Sequence, residues 1–167
     1  ILYRPFDIRF TYYTGKSKGF HCMPRGEVMK HMLHQNLALC IGRAGQVVGA
    51  EHNWNLAFCA SSIIDLNLFY RGGSQNFPLY TYPTADRQDL FFQNESGDHV
   101  PNLAPKLVEA LKSAFKREPS SEQIFHYIYA LLYSNAYRKK YAEFLKTDFP
   151  RVPFTKDYKL FYKLAEK

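Results

Sequence analysis

The run Ser120-Ser121-Glu122-Gln123-Ile124-Phe125-His126-Tyr127-Ile128-Tyr129-Ala130-Leu131-Leu132-Tyr133 carries two independent signs of a helix. Ser120 with Gln123 three residues on makes a capping box, in which each side chain accepts from the other residue's backbone N–H. Behind the cap, Ile124, Tyr127, Ile128, Leu131 and Leu132 recur at helical spacing. Phe125, Tyr129 and Tyr133 cover much of the remaining circumference, so this helix should be the most enclosed of the chain. Toward the C-terminus, Ser134-Asn135 permits a bend, and Tyr137, Tyr141, Phe144 and Leu145 continue a helix to about Lys146. Pro150 and Pro153 break it, and Lys156 to Glu166 predicts a last helix. Toward the N-terminus, Leu103, Leu107, Val108, Leu111 and Phe115 form one more apolar face, starting near Asn102.

Upstream of Thr84 the texture differs. From Asp7, Ile8, Phe10 and Tyr12 alternate at period two, which predicts an opening strand that starts just after Pro5. Thr14-Gly15-Lys16-Ser17-Lys18-Gly19 reads as a basic turn, and Pro24 suits the first turn of a short helix running to Leu33. Leu37 to Ile41, Val47-Val48, Leu56 to Ala60, Ile63 to Phe69 and Phe77 to Pro83 read as short strands, the fourth with a helical turn as an alternative start, and Tyr70 to Asn76 as a polar loop. The expected fold is α+β: a mixed sheet of short strands in the first half, followed by a helical subdomain. The organisation is a strand-rich recognition lobe over 1–83, a connecting segment over 84–101 and a helical subdomain over 102–167. No internal repeat or low-complexity tract interrupts it.

Twenty-two Lys and Arg against fifteen Asp and Glu leave a formal charge of +7. The excess is +4 over residues 1–83 and +3 over 84–167, which implies a folded basic surface and not a charged tail. Such a surface favours a polyanion, nucleic acid first and an anionic membrane second. Thirteen Tyr and fourteen Phe supply area for a core, for base stacking or for an interface. Three cysteines, Cys22, Cys40 and Cys59, cannot all pair, and two sit in apolar runs, which implies a reducing, cytoplasmic setting. No apolar run is of membrane-spanning length, so no membrane partner is expected. The chain opens on Ile1 and reads as a piece of a longer polypeptide.

Catalytic machinery is hard to find. No G-x-x-x-x-G-K-[ST] run and no G-x-G exist among the nine glycines, and Gly15-Lys16-Ser17 lacks the first glycine of a phosphate loop. His31 and His34, with Cys22 nearby, are the only metal-like set, short of the four closely paired ligands of a structural zinc. Asp65 and Glu51 have no recognisable catalytic partner. The expectation is therefore no catalytic, cofactor or metal site in this chain. The polar loops fit nucleic acid better. Arg43, Gln46, Asn53, Arg71, Gln75 and Asn76 carry the guanidinium and amide groups that pair with base edges. Lys16, Lys18, Arg25 and Lys139 are candidates for phosphates. Polar loops of most proteins look similar, and Trp54, Tyr70 and Tyr80 serve a core as readily as a base stack.

Tyr3-Arg4-Pro5-Phe6-Asp7-Ile8-Arg9-Phe10-Thr11-Tyr12-Tyr13 resembles the Y-R-P-F-D-x-R-x-x-Y-Y signature of large restriction-modification polypeptides. Asn36 to Leu39 with Arg43, Asn55 to Ser61 with Ile64, Phe77 to Tyr80, Ile124 to Ser134, Tyr137-Arg138 and Phe149 to Pro153 follow in the same order. Together they are similar to the C-terminal specificity domain of type ISP enzymes, the single-polypeptide type I class. The resemblance implies double-stranded DNA as partner, and target recognition beside an adenine-N6 methyltransferase and a nuclease of the same polypeptide. Such parents use S-adenosylmethionine, ATP and Mg2+, but none of their motifs occurs in this chain. The resemblance also implies that Arg4, Asp7 and Arg9 form a structural junction with neighbouring chain. A rival reading is a docking scaffold without DNA readout; a stand-alone nuclease ranks below both.

Overall fold

The computed structural model describes residues 1–19, 22–42, 54–69, 73–83 and 99–166. Its centre is a three-stranded antiparallel sheet of β3 (Ala38–Gly42), β4 (Ala57–Ala60) and β5 (Ser74–Pro78), in the order β4-β3-β5. Before it come β1 (Leu2–Arg4), β2 (Asp7–Ile8) and α1 (Gly26–Met29); after it come β6 (Tyr80–Thr81) and β7 (Val100–Pro101). Five helices follow: α2 (Pro105–Phe115), α3 (Ser121–Tyr133), α4 (Asn135–Lys140), α5 (Ala142–Thr147) and α6 (Tyr158–Ala165). The α+β class holds. The named strand pairs are antiparallel, and the parallel contact is an isolated bridge between Leu2 and Ile64.

Both faces of the three-stranded sheet are covered. On one, Asn76 of β5 meets Arg25 at the entry to α1; on the other, Phe77 meets Phe149 just after α5, ring centroids 5.9 Å apart. Register puts Leu39, Cys59 and Phe77 in one cross-strand row, and Cys40, Phe58 and Asn76 in the next. Gly42 is required where it stands: a Cβ there would lie 2.6 Å from the Leu56 Cβ. Burial raises the Cys40 and Cys59 thiols above their ordinary values, so both are protonated packing groups.

The apolar interior has two connected parts. One joins the sheet, Met29 and Met32 to Leu132, Tyr137 and Leu145, so the helical subdomain and the strand lobe share a core. The other lies between α2, α3 and α6, where Phe161 packs with Phe115 and Tyr127 at ring centroid distances of 4.9 Å each. Ile128 and Leu131 of α3 touch both parts, as the wide apolar girth of that helix predicted. Its capping box is present: the Gln123 N–H donates to Ser120 Oγ at 3.2 Å, and the Ser120 N–H to Gln123 Oε1 at 3.0 Å.

Several expectations need correction. The opening strand does not start after Pro5; it is a hairpin, with Leu2 opposite Ile8, Arg4 opposite Asp7 and the turn at Pro5-Phe6. Phe6 adopts a φ of 65° there, a left-handed conformation unusual for an aromatic residue. Its ring packs edge-on against Phe58 at 5.1 Å. The pairing runs on to Arg9, whose N–H donates to the Ile1 carbonyl at 2.9 Å and whose carbonyl accepts from the Ile1 amino group at 2.8 Å. Ile63 to Phe69 is no strand: Ile64 makes a single bridge, and a turn over 66–69 carries the chain back so that the Ser74 N–H reaches the Leu66 carbonyl. The polar loop ends at Gly73, since Ser74, Gln75 and Asn76 pair with Gly42, Ile41 and Cys40 as β5. Val47-Val48 and most of the connecting segment lie outside the described residues. The end of that segment, Val100-Pro101, pairs with β6.

The strand lobe and the helical subdomain are also tied at Tyr80, whose hydroxyl donates to the Glu122 carboxylate. That bond holds Glu122 below its ordinary value of 4.5. Burial and the same carboxylate push Tyr80 up to about 12. The Glu122 share of stability is full above pH 4.5 and fades as the pH falls through the depressed value. The Tyr80 share is full below pH 10.0 and fades as the pH rises toward about 12. Glu122→Gln should therefore cost less than about 1 kcal/mol at neutral pH, the scale of a partly exposed pair. The gap from wild type should close below pH 4.5. Urea midpoints of the two proteins across that range check it, and a gap that is constant with pH contradicts it.

Candidate nucleic-acid interface

The strand order brings three chain ends together. Gly42, the last residue of β3, pairs with Ser74, the first of β5, and its N–H donates to the Leu56 carbonyl at 2.8 Å, just ahead of β4. Residues 43–53 leave from Gly42, and residues 70–72 lead toward Ser74. Arg43, Gln46, Asn53 and Arg71 themselves lie outside the described residues, as do Glu51 and Tyr70. Their points of attachment are nevertheless shared: both segments are tied to one end of the sheet.

The basic turn reaches the same end. Gly15 sits so close to Gly26 that a Cβ on Gly26 would lie 2.7 Å from the Gly15 carbonyl oxygen. Gly26 follows Arg25, whose guanidinium bonds to the Ser74 carbonyl. Lys16 and Lys18 are exposed on this turn, as phosphate contacts require. The left-handed φ values of Gly15 and Gly19, 70° and 62°, explain the glycines that flank it.

Two of the sequence-derived contact residues face inward. Arg25 donates from Nη1 to the Ser74 carbonyl at 2.8 Å and from Nη2 to the Ile64 carbonyl at 3.0 Å. The Asn76 amide completes this node in the orientation that satisfies both its ends. Its oxygen accepts from Arg25 Nη1 and Nη2 at 2.5 and 2.9 Å, and its nitrogen donates to Ser74 Oγ at 2.6 Å. Asn76 and Ser74 are buried. Burial lowers the Arg25 value, though a guanidinium remains charged. Both residues are therefore structural ties of β5 and α1, and neither offers its polar atoms to a ligand. Gln75 is exposed, but on a strand and not in a loop. Lys139 is exposed on α4.

The remaining candidates separate cleanly. Trp54 is only 4 % exposed and serves the core, and Tyr80 is occupied by Glu122. His31 Nδ1 accepts from the Tyr82 N–H at 3.0 Å, and the His34 ring stacks on Tyr82 at 4.2 Å. Among the described residues no group of His, Cys, Asp and Glu could hold a metal ion. Asp65 faces Arg4 at 3.4 Å. In the opening hairpin Arg4 and Arg9 each lie 4.0 Å from the centre of the Tyr3 ring, and Arg9 holds the Asp7 carboxylate at 2.9 Å, below its ordinary range. These arginines are engaged locally. Sequence reasoning missed the apolar surface beside them: Phe6, Ile8, Phe10 and Tyr12 are all three-quarters exposed or more. The alternation is visible in the sequence, where it predicts a strand and does not tell that these side chains face solvent.

Residues 1–167 match the family model of the Type ISP C-terminal specificity domain. The chain belongs to that family. The specificity domain is also similar to part of a solved structure, the cryo-EM structure of a DrdV–DNA complex, with 25% sequence identity and a TM-score of 0.74. The match covers 99% of this chain and 14% of that one. No curated protein matches the chain. No helix among the described residues is long and apolar enough to cross a membrane.

Proposed function

We propose that this specificity domain recognises a short asymmetric site in double-stranded DNA and holds it for an adenine-N6 methyltransferase and a nuclease elsewhere on a longer polypeptide. The observation that carries the reading is that Gly42, Leu56 and Ser74, next to the segments 43–53 and 70–72, meet at one sheet end, which the Lys16/Lys18 turn also reaches through Gly26 and Arg25. It is supported by family membership over the whole chain and by the likeness to a chain solved with DNA. Base readout is assigned to Arg43, Gln46, Asn53, Arg71 and Gln75, and phosphate contacts to Lys16, Lys18 and Lys139. S-adenosylmethionine, ATP and Mg2+ belong in this proposal to the other domains, in a cytoplasmic, DNA-associated protein. One observation favours docking as an additional role: the exposed Phe6, Ile8, Phe10 and Tyr12 suit apolar contact with those domains.

In the full-length polypeptide, Arg43→Ala or Arg71→Ala is expected to relax preference at one base position by about 1–3 kcal/mol. Lys16→Ala should weaken binding to every sequence and reduce the salt slope by about 1. Methylated positions mapped by sequencing DNA exposed to each variant report the first effect, and binding titrations at several salt concentrations the second. An unchanged site preference in all the loop variants would sink the assignment.

A further inference from the structure

The helical subdomain reaches the same end of the sheet. Its longest helix, α3, starts beside Tyr80, through Glu122. Tyr80 follows Leu79, whose N–H donates to the Leu37 carbonyl, just ahead of β3 and at the sheet end away from Gly42. Thirteen helical residues rise about 20 Å, enough to run the length of a five-residue strand. Just past the far end of α3, Arg138 of α4 accordingly meets Trp54, which leads into β4.

Arg138 fixes that meeting. Its Nε donates to the Leu132 carbonyl at 2.8 Å, satisfying an acceptor that the end of α3 leaves open. Its guanidinium lies 4.6 Å from the centre of the Tyr133 ring and 5.7 Å from that of Trp54. Nη2 is enclosed with no hydrogen-bond partner among the described residues. A half-buried cation with an unused donor is costly for stability alone, but it locks the α3–α4 corner to the chain that follows residues 43–53. Outside it, Tyr133 is half-exposed, and Asn135, Lys139 and Lys140 lie open on α4. Lys30, Lys112 and Lys146 each hold a carboxylate; no ion pair of the described residues includes Lys139 or Lys140, nor Lys159 or Lys163 on α6, and Lys140 lies 5.5 Å from the centre of the Tyr141 ring.

We propose that the α3–α4 corner is a second wall of the DNA-binding surface, with Lys139 and Lys140 on backbone phosphates, Tyr133 against the sugar-phosphate chain, and Arg138 as the positioning residue behind them. The proposal rests on the duplex-reading function above, which gives Lys139 a phosphate contact, and adds Lys140, Tyr133 and the Arg138 tie that holds the corner against the sheet. It assigns no base readout to the corner, because lysine ammonium groups act on phosphates as point charges.

The test uses the full-length polypeptide, a duplex of random sequence and binding titrations over a range of salt. K139A/K140A is expected to reduce the salt slope by about 2, since each phosphate contact contributes about 0.9. K159A/K163A should leave it unchanged: α6 packs through Phe161 on Tyr127 at the middle of α3, and not at the α3–α4 corner. R138K keeps the charge but not the flat face or the Nε donor, and should also lower the slope, whereas a merely structural loss would lower the melting temperature alone. An equal slope change from the α6 pair would overturn the proposal. So would an unchanged slope for K139A/K140A while K16A/K18A lowers it, an outcome that leaves the duplex reading intact. If the unmodified polypeptide does not bind duplex at all, both fall. An unmoved slope in R138K would remove Arg138 from the role given to it.

Discussion

Phe161→Ala is expected to destabilise the chain by about 3–5 kcal/mol, the cost of removing a fully enclosed aromatic ring and leaving a cavity. Phe161 is 0 % exposed and stands between Phe115 and Tyr127, so α2 and α3 each lose an aromatic contact with α6. Partial collapse is opposed from both sides. Tyr127 is tethered by its hydroxyl, which donates to the Pro153 carbonyl at 2.9 Å. α6 is held at its start by Asp157, whose carboxylate accepts from the Lys159 and Leu160 N–H groups. Urea unfolding of wild type and variant measures the loss. A change below about 1 kcal/mol, the range of ordinary surface substitutions and mild repacking, would show that α6 is not part of the folded core.

Arg25→Ala should cost about 2–4 kcal/mol, because two buried carbonyls and the Asn76 amide lose a charged donor together. The residue also holds a φ of 51°, in the left-handed region that non-glycine residues enter only when the surroundings compel it. With the guanidinium gone, nothing offsets that backbone cost, and the start of β5 is released from the entry to α1. Arg25→Lys should recover little, since one ammonium cannot span the Ser74 and Ile64 carbonyls as a guanidinium does. Arg25→Ala is expected to lower the melting temperature and leave the salt slope of DNA binding in place. A slope reduced by about 1 with unchanged stability would restore Arg25 to the phosphate contacts.

The helices were legible because their signals are local. The Ser120–Gln123 box and the spacing from Ile124 to Leu132 specify α3 without reference to any other segment, and they produce it. Pro105 likewise sets the start of α2 at its first turn, three residues later than the apolar pattern suggested. Strand β5 was not legible at its start. Ser74-Gln75-Asn76 has the composition of a loop, and its pairing is supplied by Cys40, Ile41 and Gly42 from across the sheet. The opening hairpin failed in the other direction: Phe10 and Tyr12 continue the alternation of Ile8 but lie in no strand among the described residues.

The same distinction runs through the candidate site. Composition and residue type were enough to point to a basic surface with base-reading and phosphate-binding groups, and the ordered motifs were enough to suggest the family. They could not say which cations face solvent. Arg25 and Lys16 are both cations and lie nine residues apart, yet one is tied to carbonyls at Ser74 and Ile64 and the other is exposed. Charge and helical period are properties of a short stretch, so the sequence alone determined the α+β class, the caps and the net +7. Which ends meet at Gly42, Ser74, Trp54 and Arg138 was decided only by the tertiary structure. That outcome depends on strand order and on hydrogen bonds between segments far apart in the chain.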